Sequence, residues 1–214
     1  MDTKKNIYVV GSGGFAKEVY FLIKETKLYD FKGFIEYKST EKSLTFNGEI
    51  LPVIDEDVFF NENKNATIAI GVGRPHLVKK IAEKFKHFDT PNIIHPNFIG
   101  DVDNIISGVG NIITSGVIFT TNITIGSFNV FNLNMTVGHD TVIGDYNVFN
   151  PSTNISGNNK IGTKNLFGVG SISLENMLIG DNNVIGAASL ITKNIDNNGV
   201  YIGVPSKLIK NNDN

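Results

Sequence analysis

Apolar residues recur every six positions through the second half of the chain. Positions 113, 119, 125, 131, 137, 143, 149, 155, 161, 167, 173, 179, 185 and 191 are Ile, Val or Phe in thirteen of fourteen cases, the exception being Ser173. A period of six fits neither a helix nor a half-buried strand, so the hydrophobic face recurs by coiling. Stacked in threes, the hexads give four segments, 123–140, 141–158, 159–176 and 177–194, that align without a gap. Such a repeat predicts a triangular parallel β-helix, in which one coil cannot bury its face alone. The first coil, roughly 95–110, falls out of phase (Ile99, Ile105, then Ile113), which predicts a one- or two-residue insertion or bulge there.

The first ninety residues follow a different pattern. Residues 6–10 read as a buried strand, and 14–27 as a helix with Ala16, Val19, Leu22 and Ile23 on one stripe. Further strands are expected at 32–36 and 66–72, then a helix at 75–87 with Leu77, Ile81 and Phe85 on one face. Strands alternating with helices predict a parallel sheet with crossover helices. The expected organisation is a small Rossmann-like α/β domain at 1–94 and an all-β parallel β-helix of hexapeptide repeats at 95–214, closed by a capping tail. Lys79, Lys80, Lys84 and Lys86 read as the solvated side of the second helix.

Composition shifts with the fold. Of 28 asparagines, 23 lie at or after Asn92. Asn129, Asn147, Asn165 and Asn183 form one column, and Asn158, Asn176 and Asn194 another. Coils about 4.8 Å apart let equivalent amides bond along the axis, and Asn also tolerates a left-handed corner. Ile-Gly pairs at 125–126, 143–144, 161–162 and 179–180 supply glycine at a second corner. A net charge of −2 leaves no electrostatic footprint for nucleic acid or an anionic membrane. Zero cysteines exclude thiolate chemistry and fit a reducing cytoplasm. Neither a signal peptide nor a membrane-spanning apolar run is visible.

Three regions carry chemistry. Gly11, Gly13 and Ala16 form a G-x-G-x-x-A pattern between strand and helix. There a backbone approaches phosphate closely and the helix N-terminus favours an anion. Glu36 ends the next strand, placed to accept from ribose hydroxyls. Gly71 and Arg74 follow the third strand at the same carboxyl edge, Arg74 as a phosphate contact or a surface residue. About ninety residues are too few for a complete dehydrogenase cofactor domain, which points to a nucleotide carried by the substrate. His139 sits where the aligned repeats place Gly157, Glu175 and Lys193, and Asp140 follows it. Imidazole suits proton transfer near neutrality, and an adjacent carboxylate can fix its tautomer. His76, His87 and His95 make no metal-ligand spacing with it, so no metal is expected, and His95 reads as packing or capping the first coil. Finally, the tail around Gly203, Val204 and Pro205 leaves the hexad register as a rigid extended loop, with Lys207 beyond it able to meet a phosphate-rich ligand.

The segments YVVGSGGFAKEV, GFIE, AIGVGRPHLVKKI, NIIHP, VGHDTVIGDYNVF and GVYIGVPSK together resemble one family over nearly the whole chain. It is the nucleotide-4-amino-sugar N-acetyltransferases of the sialic acid O-acetyltransferase-like hexapeptide-repeat group, such as the UDP-4-amino-sugar enzymes of bacillosamine synthesis. The resemblance implies a left-handed β-helix, a cytoplasmic homotrimer, acetyl-CoA in the cleft between neighbouring solenoids, and a role in bacterial surface glycan synthesis. It implies His139 as general base, with Asp140 orienting it. Gly13, Gly14, Phe15, Glu36 and Tyr37 align with nucleotide-holding positions, Val169 and Ala187 with acetyl-CoA contacts, and Asn132 with the place of the sugar amine. Pro205 and Lys207 are coenzyme candidates in the tail. Many relatives carry a second histidine nine residues after the first; here it is Val148, kept as a pocket candidate. Tyr37 replaces a commoner acid, leaving the base open between UDP, dTDP and GDP.

Two other readings stand beside this one. O-acetylation of a sugar such as sialic acid uses similar residues on a hydroxyl. A non-catalytic nucleotide-sugar-binding protein or a structural β-helix would bind without turnover. The ice-binding form would also need regular Thr arrays, whereas the threonines here are scattered.

Overall fold

A computed structural model describes residues 4–212 of the chain. Its N-terminal unit is a five-stranded sheet built from β1 (Lys5–Val10), β2 (Tyr29–Glu36), β3 (Ser43–Phe46), β4 (Glu49–Asp55) and β5 (Thr67–Ile70), in the order β3-β4-β2-β1-β5. Strands β4, β2, β1 and β5 run parallel, and only β3 is antiparallel to its neighbour. Helices α1 (Gly14–Thr26), α2 (Glu56–Glu62) and α3 (Pro75–Lys84) make the connections. α1 ends where Lys27 turns left-handed, at φ 57°.

The β3–β4 hairpin and α2 have no counterpart in the sequence expectations. Asn47 and Gly48, at φ 49° and 79°, make the tight turn between β3 and β4. The Asp55 side chain accepts from the Asp57 N–H and starts α2. α3 stops at Lys84, three residues short of the expected 87.

From Ile93–Ile94 onward the chain coils into three parallel sheets of two- and three-residue strands. Partners lie 18 residues apart, as in Val130↔Val148↔Leu166↔Val184. All fourteen hexad positions are buried, Ser173 among them. Ser173 Oγ donates to Asn159 Oδ1 at 2.7 Å, which explains how a hydroxyl occupies an apolar column. Stacked rings fill the axis, Phe131 on Phe149 at 5.3 Å and Phe149 on Phe167 at 4.7 Å. The phase break is also present. Ile99 pairs with Ile118, 19 residues on, but Ile105 pairs with Ile123, 18 on, and the extra residue falls beside the short 3₁₀ turn Val102–Asn104.

The first Asn column forms the expected ladder. Asn147 donates through its backbone N–H (2.8 Å) and Nδ2 (3.1 Å) to Asn129 Oδ1, and Asn165 does the same to Asn147. The ladder starts earlier than the repeat suggested, at Asn92 and Asn111. The Ile-Gly corners serve a different purpose from turning. Gly144 has no positive φ; a Cβ there would sit 2.7 Å from Gly162 O of the next coil. The left-handed residues at that corner are Phe128, Tyr146, Lys164 and Asn182.

The two halves share a core. Ile7, Val9, Ala16 and Val19 pack with Ile93, Ile112, Val130 and Val148, so α1 covers the outer face of the largest solenoid sheet. The tail differs from the expected loop. Gly199–Ile202 adds a parallel strand to that sheet, and Lys207–Asn211 returns antiparallel beside it.

Candidate active site

His139 stands at the solenoid corner between the strands Thr136–Val137 and Val142–Ile143, where Asp140 holds φ 59°. Asn122, Asn158 and Asn176, 18 residues apart along the same column, are left-handed too, a conformation that Asn and Asp tolerate best among side-chain-bearing residues. The turn brings Asp140 Oδ2 to 2.7 Å from His139 Nδ1. Asn122 Nδ2 donates to the other oxygen, Asp140 Oδ1, at 2.5 Å. These two bonds, that from Asn122 first and that from His139 second, hold the Asp140 carboxyl below the usual carboxylate range. An ionised carboxylate against Nδ1 favours the tautomer with its proton there and the Nε2 lone pair free.

The ring is also positioned from below. A Cβ on Gly157, one coil further, would lie 2.7 Å from both His139 Cε1 and Nε2. The imidazole therefore rests on bare glycine backbone while its side chain stays 55 % exposed. His139, Asp140, Asn122 and Gly157 form one array: an imidazole, the carboxylate bonded to it, the amide that holds that carboxylate, and a glycine floor under the ring. Asn122 and Gly157 were missed as site residues, although each lies 18 positions from a member of the pair.

The other expected contacts on the solenoid gather elsewhere. Asn132 is 8 % exposed at the corner between the strands Val130–Phe131 and Thr136–Val137, its Oδ1 accepting from the Leu133 N–H. Val169 and Ala187 lie on that same corner, one above the other: the Ala188 N–H donates to Val169 O. Within one chain this corner and that of His139 are separated by a whole face. Val148 corrects an expectation. It is 1 % exposed and sits in the core shared with α1, because the residue before each buried hexad position of this sheet faces the N-terminal unit. It cannot touch a coenzyme. Pro205 and Lys207 lie in the turn and return strand of the tail hairpin, with Lys207 exposed.

At the other end, Gly11 takes φ 100° after β1, and its N–H donates to Ile35 O. Gly13 caps α1 without a side-chain bond, and no acid lies in the first turn. The first N–H groups of α1 are thus free for an anion. A Cβ at Gly13 or Gly14 would meet nothing within 4 Å, so open space lies before the helix. Ser12 Oγ donates to Glu36 Oε2 at 2.6 Å, and the Tyr37 N–H to Oε1 at 3.3 Å, fixing the carboxylate at the sheet edge. Phe15 is half-buried against the core.

Gly11, Glu36 and Tyr37 line a cavity of about 430 Å³ together with Glu56, Lys80 and Lys84. Two lysines expected to be solvated thus face the candidate ligand space. Arg74 lines a second cavity instead, of about 350 Å³, with Lys164 and Asn182 of the solenoid. Gly71 is required by packing, since its Cβ would lie 2.7 Å from Ala16 Cβ and Val9 Cγ1. His95 Nδ1 accepts the Asn97 N–H at 3.1 Å, a local cap. Among the described residues no group of three or more His, Cys, Asp or Glu could hold a metal, and no helix is long and apolar enough to cross a membrane.

A half-size Rossmann-like unit docked on a hexapeptide-repeat parallel β-helix with a His-Asp corner defines the class. Residues 6–85 match the family model described as the PglD N-terminal domain. Over the full length, the fold matches the acetyltransferase domain of PglB from Neisseria gonorrhoeae (TM-score 0.86, 23 % identity, 96 % of this chain and 100 % of that one). PerB from Caulobacter crescentus, solved with CoA and GDP-perosamine, matches with TM-score 0.86 and 22 % identity over 96 % and 97 % of the two chains. WeeI from Acinetobacter baumannii matches with TM-score 0.85 and 24 % identity over 96 % and 100 %. No curated protein sequence matches the chain significantly.

Proposed function

We propose that the protein is an acetyl-CoA-dependent N-acetyltransferase acting on the amino group of a nucleotide-linked 4-amino-4,6-dideoxy sugar. The observation that carries this is the oriented His139, with Nδ1 on an ionised carboxylate and the ring seated on Gly157. Residues 1–94 hold the nucleotide through the α1 N-terminus and Glu36, and residues 95–214 perform the transfer. The sugar amine attacks the thioester carbonyl, His139 Nε2 takes the amine proton, and the C–S bond breaks to release coenzyme A. Backbone N–H groups at the corner stabilise the oxyanion.

Asn132, Val169 and Ala187 stand one face away from His139, so a complete site takes one corner from each of two neighbouring chains. This supports a homotrimer with acetyl-CoA between subunits, acting in the cytoplasm on precursors of a surface glycan. The structural likeness to a perosamine N-acetyltransferase from Caulobacter crescentus and to AntD, an N-acyltransferase from Bacillus cereus, favours nitrogen over oxygen as acceptor.

The test is an assay of coenzyme A release with UDP-, dTDP- and GDP-linked 4-amino sugars, the product being examined by mass and by alkali treatment. An alkali-stable acetylated product is expected. An alkali-labile ester would move the protein to the O-acetyltransferases, and binding without turnover would make it a non-catalytic sensor.

A further inference from the structure

We infer that Glu56 and Lys84 read the base of the bound nucleotide and that they select guanine. The inference rests on the proposed nucleotide-sugar site and concerns residues outside its phosphate and ribose contacts. In this α/β arrangement the phosphates lie at the α1 N-terminus and the ribose at Glu36, at the carboxyl edge of the sheet. The base must lie beyond Glu36. Strand β4 is the next strand on that side: Glu36 is in register with Asp55, and Glu56 follows it at the start of α2.

Glu56 is 6 % exposed, yet it lines the same cavity as Glu36 and Tyr37. Its Oε1 is ion-paired with Lys84 Nζ. Its Oε2 has no hydrogen-bond partner among the described residues. That oxygen is not sealed in the core but open on the cavity that Glu56 lines, so a carboxylate acceptor is available there to a donor brought by a ligand. Lys84 is held more firmly than an ordinary surface lysine. Besides Glu56, its ammonium lies 5.2 Å from the Tyr37 ring centroid and 5.8 Å from that of Phe60.

The pair presents two carboxylate oxygens beside one ammonium. Guanine offers two adjacent donors, N1–H and N2–H₂, next to the acceptor O6, so that the carboxylate takes both donors and Lys84 takes O6. Uracil and thymine offer one N–H between two carbonyls, which sets the second carboxylate oxygen against a carbonyl oxygen. Adenine and cytosine place an acceptor where the second donor is needed. Only guanine satisfies both partners at once. Tyr37, 60 % exposed on the same rim, offers a ring face for stacking.

The experiment measures equilibrium binding of GDP, UDP and dTDP to the full chain, alongside coenzyme A release from the three matching 4-amino sugars. Sites built to hydrogen-bond a group reject analogues lacking it strongly, and GDP is expected to bind at least ~10-fold tighter than UDP or dTDP. Glu56→Gln and, independently, Lys84→Gln should shrink that preference several-fold while acetyl-CoA affinity holds. A merely structural role would move all three nucleotides together. Equal affinities in the wild type, with acetyl transfer intact, would overturn the guanine assignment and leave the proposed function standing. A GDP preference that survives in whichever of the two variants folds would place base reading elsewhere and overturn it too. Failure of every nucleotide to bind, with no coenzyme A released, would remove both proposals.

Discussion

Gly157→Ala is the smallest change that separates the site from the fold. The added Cβ would sit 2.7 Å from His139 Cε1 and Nε2 and 3.1 Å from Cδ2, where ordinary contact begins at 3.4 Å. The ring must therefore retreat by roughly the difference, 3.4 − 2.7 = 0.7 Å. It can do so cheaply, because the imidazole is the exposed end of a side chain. Gly157 has no positive φ, so alanine meets no backbone strain. The melting temperature should consequently stay close to that of the wild type. Moving the ring breaks its alignment with Asp140 Oδ2, now at 2.7 Å. Misplacement of a reacting group by about 1 Å can cost ~10²-fold, and a loss of kcat between about tenfold and a hundredfold follows. Steady-state coenzyme A release and a thermal melt, run on the same preparation, measure both quantities. Wild-type kcat in a folded variant would refute the seating of His139 on Gly157, and so would a loss of kcat explained by unfolding.

Gly71→Ala should act in the opposite sense, lowering stability by about 1–3 kcal/mol through overpacking against Ala16 and Val9. Denaturant melts read it, and an unchanged midpoint would contradict the contact. Asn147→Ala removes the acceptor of two buried Asn165 donors. At about 1–3 kcal/mol each, the cost should be several kcal/mol, and a midpoint within error of wild type would dissolve the ladder argument. The pH dependence follows from Asp140, whose lowered pKa keeps it ionised throughout the range in which imidazole titrates. Its contribution to stability is present above the unfolded carboxyl pKa and fades only as pH falls through the lower folded value. The acid limb of kcat/KM should accordingly titrate as one proton, and a slope of two would show Asp140 protonating with the base.

Much of this architecture is legible before any coordinates, and the reasons differ by region. The solenoid is repetitive, so each expected contact is tested many times over: Ile113 to Ile191 are buried, and the Asn129 to Asn183 ladder forms. Even the phase break near Ile105 marks a real extra residue. In the N-terminal unit, the hydrophobic pattern does not mark β3, β4 or α2, although Asn47-Gly48 signals a hairpin and Asp55 a helix start. An edge hairpin with little burial carries a weak hydrophobic period, and a seven-residue helix carries less. Within the site, His139 and Asp140 were visible because they interrupt a column. Asn122 was not, because it fits its own column; only its partner's carboxylate gives it a second role. Val148 shows the opposite failure: a spacing carried over from relatives took no account of the face that α1 covers. Lys80 and Lys84 looked solvated because charge runs on a helix usually are, and the cavity between α2 and α3 exists only in three dimensions.

We propose that His139 is the base for acetyl transfer to a nucleotide-linked amino sugar. Turnover of wild type and His139→Ala on the best of the three nucleotide-linked 4-amino sugars tests it most directly. General-base loss predicts a kcat lower by ~10²–10⁴-fold, with acetyl-CoA affinity and melting temperature unchanged. A folded His139→Ala variant that turns over at the wild-type rate would remove His139 from the chemistry.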